Sequence, residues 1–122
     1  MSGTAVVLTI SARDRNTELL IEFLEAEGYG VTTVQDLPEL DAIIESNLDQ
    51  TRLAILDVQG YSRAVWDRCE RLSGAEVPVL VLKPVATDEM RTAAHRHGAR
   101  AVLSKPVSKR DLGETIKVLL SE

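Results

Sequence analysis

Short apolar runs and amphipathic stretches alternate along the chain. The runs are "AVVLTI" (Ala5–Ile10), "VTTV" (Val31–Val34), "LAIL" (Leu53–Leu56), "VPVLVL" (Val77–Leu82) and "AVL" (Ala101–Leu103). Their lengths and β-branched content predict five strands. Between them, apolar residues fall at helical spacing. Leu19, Leu20, Phe23 and Leu24 predict a first helix, capped by Asn16 or Thr17, running to about Glu27 and stopped by Gly28. "DLPE" (Asp36–Glu39) is a capping box with a proline near the start, opening a second helix to about Ser46. A third helix is expected from about Ser62 to Leu72, with Gly74 after it. Thr87 caps a fourth that ends at Gly98. Ser108 caps a fifth, with Asp111 three residues on, closing through "IKVLL".

Strict βα alternation points to an α/β fold. The first, third and fourth runs are almost continuously apolar, as strands are when helices cover both faces of a parallel sheet. With right-handed crossovers the result is a doubly wound, five-stranded parallel sheet of the flavodoxin-like (βα)5 kind, one domain over residues 1–122. In such sheets the functional crevice lies beyond the carboxyl ends of the strands. The residues at those ends are Ser11 and Ala12, Asp57, Lys83 and Lys105.

Composition narrows the function. A chain of 122 residues suits one core. Phe23, Tyr29, Tyr61 and Trp66 are the only aromatic residues, too few for a single-stranded nucleic-acid platform. No apolar stretch is long enough to span a bilayer, and no signal peptide is visible, so no membrane role is expected. Cys69 is the only cysteine, which excludes a disulfide framework within the chain and suits a reducing cytoplasm. Residues 1–50 carry a net charge of -8, residues 51–82 balance at zero, and residues 83–122 carry +3. The plain reading of this asymmetry is solvated helix faces; the sharper one is a basic docking face on the C-terminal third that steers an acidic protein partner.

Several motifs together resemble the receiver domain of two-component response regulators, over the full length. They are "LAILD" ending at Asp57, "VPVLVL", "HGARAVLSKP" ending at Lys105 and Pro106, and "EAEGYGV" (Glu25–Val31). The resemblance implies that Asp57 stands at the phospho-acceptor position and Lys105 at the phosphate-contacting lysine. It also implies that Pro106 follows a cis peptide bond. The departures are as informative. The family ends strand 1 with an acidic pair that holds magnesium; here Ser11 and Ala12 stand there. It ends strand 4 with Thr or Ser; here it is Lys83. It places an aromatic on strand 5; here it is Val102. The loop after the acceptor departs too, at Tyr61, Ala64 and Val65. Asp14 is the one other acid nearby.

One aligned carboxylate and two lysines give the site a charge of about +1, with Arg13 close by. Magnesium takes oxygen ligands in near-octahedral geometry and neutralises the charge that develops in phosphoryl transfer. No metal or other cofactor is therefore expected, with magnesium binding lost or weak. Lys83 and Lys105 are expected to flank Asp57 as a fixed ion-pair cluster.

The function expected from this site is a receiver-like signalling module, not an enzyme, acting by protein–protein contact without magnesium-dependent phosphorylation. The competing reading is a working phospho-acceptor that takes a phosphoryl group on Asp57 from a histidine kinase. A flavodoxin- or cobalamin-type binder fits the alternation but lacks the phosphate-cradling or histidine loop. The expected docking or homodimer face is helix 4, strand 5 and helix 5, with Arg91, Arg96, Arg100, Lys109, Arg110 and Lys117. "HRH" (His95–His97) does not read as a metal site, because positions i and i+2 of a helix do not share a face. Trp66 and Cys69 are expected to pack inward.

Overall fold

A computed structural model of the chain describes residues 6–11, 15–46, 48–57 and 62–121. Ten elements alternate: β1 (Val6–Ser11), α1 (Arg15–Ala26), β2 (Gly30–Val34), α2 (Leu37–Ser46), β3 (Thr51–Asp57), α3 (Arg63–Gly74), β4 (Val79–Lys83), α4 (Asp88–Arg96), β5 (Ala101–Ser104) and α5 (Lys109–Leu120). All neighbouring strands are parallel, in the order β2-β1-β3-β4-β5. This is the doubly wound, flavodoxin-like sheet expected from the alternation.

The strand period of two sorts the apolar side chains into two cores. Leu8 and Ile10 of β1, Ala54 and Leu56 of β3, and Val79 and Val81 of β4 meet Leu40 of α2, Trp66, Cys69 and Leu72 of α3, and Ala94 of α4. Val7, Leu53, Ile55, Leu80 and Leu82 meet Leu20 and Leu24 of α1 and Leu112, Ile116 and Leu119 of α5. Cys69 is fully buried. Burial, with the charge of Glu70 adding, pushes its thiol up to about 11, so it stays protonated and inert at neutral pH.

Capping follows the sequence at three helices. Asp36 accepts from the Glu39 amide at 2.9 Å, Thr87 from Met90 at 3.1 Å, and Ser108 from Asp111 at 3.0 Å. Across α2 and α3, Arg68 donates to both carboxylate oxygens of Asp41, at 3.0 and 2.8 Å. That hydrogen-bonded guanidinium holds the Asp41 carboxyl below its ordinary range.

Three of the boundaries that differ from expectation have a local cause. α1 starts at Arg15, so Asn16 and Thr17 lie in its first turn and neither is the cap. First-turn amides need no intrahelical partner, so cap-forming residues are tolerated there as well. β4 starts at Val79, two residues late. Pro78 has no N–H for the ladder, and the Val77 amide is committed to the Leu72 carbonyl at 2.9 Å, closing α3. Gly74 is not the stop of α3 but its last residue; the left-handed position falls on Glu76, at φ 65°. Gly28 and Gly98 hold the equivalent positions after α1 and α4, at φ 94° and 100°. In all three turns an amide reaches back five residues: Tyr29 to Leu24, Val77 to Leu72 and Ala99 to Ala94.

A left-handed residue with a Cβ costs about 1–2 kcal/mol, and glycine gives back part of that through its freer unfolded state. Glu76→Gly should therefore raise stability by roughly 0.5–1 kcal/mol. Gly98→Ala should lower it, because the new Cβ also meets the Ser73 Cβ at 2.7 Å. Urea midpoints at constant m-value measure both, and a lower midpoint for Glu76→Gly would refute the assignment.

Candidate functional site at the carboxyl edge of the sheet

The registers bring the sequence-selected residues to one edge. Ser11, the last residue of β1, pairs with Asp57, the last residue of β3. Lys83, the last residue of β4, pairs with Ser104. The Lys105 amide donates to the Lys83 carbonyl at 2.8 Å. The chain thus leaves the sheet beside Lys83, through a cis Lys105–Pro106 bond.

From there the Lys105 side chain turns back across the edge. Its Nζ donates to Asp57 Oδ1 at 2.7 Å, with the Asp57 side chain 11% exposed and that of Lys105 28%. The distance is that of a charge-assisted bond. Asp57 and Lys105 are therefore brought into direct contact, and Lys83 and Ser11 are placed by their strands at the same edge. Ala12, Arg13, Asp14 and Tyr61 lie outside the described residues, as does the strand-1 reading at Ala5. Among the described residues, no group of three or more His, Cys, Asp or Glu is placed to hold a metal ion. None of the described helices is long and apolar enough to cross a membrane.

Val102 is buried within the sheet, and its carbonyl accepts from Arg91 Nη1 at 2.8 Å. Arg91, selected in sequence as a docking residue, thus also ties α4 to β5. Arg96, Arg100 and Lys117 are exposed, and Arg110 pairs with Glu114 at 3.3 Å on the surface of α5. Val85 and Val118 are exposed apolar residues, after β4 and on α5. The two histidines diverge. His95 Nδ1 bonds the Ala99 carbonyl at 2.9 Å, and His97 bonds Glu70 while its ring stacks on Trp66.

Sequence reasoning missed an apolar groove beside the ion pair. Between α1 and α5 lies a groove of about 520 Å³ with Asp57, Lys105 and Lys109 in its lining. Its apolar walls include Phe23, Val107 and Leu112. The available signal was Leu19, which widens the apolar stripe of α1 beyond what the core covers and is 50% exposed.

Many solved structures share this fold. A two-component response regulator from Clostridium difficile is 22% identical, with TM-score 0.84 and 98% of each chain covered. A CheY-like response regulator receiver domain protein from Methanospirillum hungatei is 25% identical, with TM-score 0.83, covering 98% of this chain and 95% of that one. The signal receiver domain of a histidine kinase from Syntrophus aciditrophicus is 23% identical, with TM-score 0.80, covering 97% and 91%. No protein-family model and no curated protein matches the sequence.

Removing one partner of the Asp57–Lys105 bond leaves the other charge in a partly enclosed crevice. Asp57→Asn should cost about 1–3 kcal/mol, as for loss of a charged hydrogen-bond partner. Lys105→Met in that background should add little. A double-mutant cycle on unfolding free energy reads the coupling, and strictly additive effects would show that the bond contributes nothing.

Proposed function

We propose that the chain is a receiver-like signalling module that works by protein contact and does not switch through magnesium-dependent phosphorylation of Asp57. The observation that carries this reading is that the β1 register partner of Asp57 is a serine and not an acid, beside a Lys105 that bonds the Asp57 carboxylate at 2.7 Å. Lys83 at the end of β4 adds a second ammonium to the same edge. Two lysines and one carboxylate, the charged residues that the described strand ends bring to this edge, are a poor donor set for magnesium, which takes hard oxygen ligands in near-octahedral geometry. Without that ion, the charge that builds up on a transferring phosphoryl group goes unneutralised. In this reading the module is not an enzyme, and the ion pair fixes the edge in one state.

The similar folds of two-component proteins support a signalling role. The competing reading, a working phospho-acceptor, rests on the same Asp57–Lys105 pair, since acceptor and lysine are both present and in contact. Acetyl phosphate with magnesium separates the two. Intact-mass analysis should find no phosphoryl group on Asp57, and magnesium should not raise the melting temperature. A variant carrying Ser11→Asp, Ala12→Asp and Lys83→Thr should gain both responses. Labelling of the natural sequence at Asp57 would establish the competing reading.

The contact face in this proposal is α4, β5 and α5, where Arg96, Arg100 and Lys117 are exposed and Arg91 fixes α4 against β5. Self-association through it should weaken between about 50 and 500 mM salt, where screening of exposed charges becomes severe. Arg96→Glu with Lys117→Glu should reduce it further. Sedimentation equilibrium measures both effects, and salt-insensitive association mapping to α1 and α2 would count against this face.

A further inference from the structure

The groove between α1 and α5 shares Asp57 and Lys105 with the ion pair and Lys109 with the expected contact face, but its apolar walls serve neither. It encloses about 520 Å³, within the range of about 300–1,000 Å³ of small-molecule sites. One wall is α1, with Leu20 and Phe23; the other is Val107 and Leu112 around the start of α5. Leu19 stands on the rim with half its surface in water.

Among the described residues, the charge in the lining comes from Asp57, Lys105 and Lys109. The first two neutralise each other at 2.7 Å, which leaves Lys109, exposed at the first position of α5, as the net charge of the lining. An ammonium also has three donors, and one of those of Lys105 is used by Asp57. A cationic head group would meet two lysines here. A neutral occupant would leave the Lys109 charge unmatched. An anionic head with a compact apolar body satisfies both the walls and the charge.

We propose that this groove is a binding site for a small anionic amphiphile, an apolar monocarboxylate of medium chain or aromatic type. The carboxylate lies toward Lys109 and Lys105, and the apolar body lies between Phe23 of α1 and Leu112 of α5. Occupancy does not require phosphorylation of Asp57, so the site stands whichever reading of Asp57 holds.

The probes are decanoate, decanol and decyltrimethylammonium, which share a chain and differ in head-group charge. Each is titrated below its micellar range into the full chain while amide NMR shifts are followed. Decanoate should saturate one site, with shifts confined to α1 and residues 105–112, and should bind more tightly than the other two. Lys109→Glu should weaken decanoate about tenfold or more, the worth of one charged hydrogen bond, and leave decanol unchanged. Both side chains to be altered are exposed, and an acid in the first turn of α5 suits the helix dipole, so Lys109→Glu and Leu19→Gln should fold. Leu19→Gln should weaken decanoate and decanol alike. Equal affinity for the cationic probe, shifts elsewhere, or no effect of Lys109→Glu would overturn the site. So would a dimer that decanoate or Leu19→Gln dissociates, because the occupant would then be a second copy of the chain.

Discussion

A parallel sheet covered on both faces leaves chemistry only its edge. Here α2, α3 and α4 cover one face, and α1 and α5 the other. Leu, Ile and Val dominate the strand interiors, so charged side chains are confined to the strand ends. Asp57 and Lys83 stand at strand ends, and Lys105 one residue past another. Their proximity follows from the strand order, which sets β3, β4 and β5 side by side. The Asp57–Lys105 bond is thus made by topology from residues far apart in sequence. Its energetics are finely balanced. Partial burial of both groups costs hydration, and their attraction offsets it only while the geometry is good.

The fold was legible because two patterns coexist in the sequence, and each has one structural meaning. Near-continuous apolar runs in the strands report a sheet covered on both faces, and the three-to-four spacing of Leu20, Phe23 and Leu24 reports the inner face of α1. Boundaries were less legible. Gly74 looked like a stop because glycine usually supplies the left-handed residue, yet Glu76 adopts that conformation here. Closing α3 against β4 outweighed local preference. Val77 looked like strand because it is β-branched, but its amide was needed to finish the helix.

At the site, Asp57 and Lys105 were legible through a motif resemblance, and β1 register then set Ser11 opposite Asp57. The double role of Arg91 was not legible, because its bond to the Val102 carbonyl depends on how α4 lies against β5. Nor was the groove. It is bounded by residues from α1, the end of β4 and the start of α5. No local window of sequence contains them together, and a cavity is defined by side chains that fail to meet.

The turn from α3 into β4 carries a further consequence. The Val77 amide closes the helix, and the Pro78 carbonyl already accepts from Ala54 of the neighbouring strand at 2.9 Å. The connection has no slack. The end of α3 therefore sets the phase of β4, fixing which of its residues face each core. One residue added between Glu76 and Val79 would have to be absorbed by the strand, exchanging Val79 and Val81 with Leu80 and Leu82 across the sheet. It would also carry Lys83 one step away from Asp57. Spacing in this short link is what keeps the charge at the end of β4 near the charge at the end of β3, one register step beyond it.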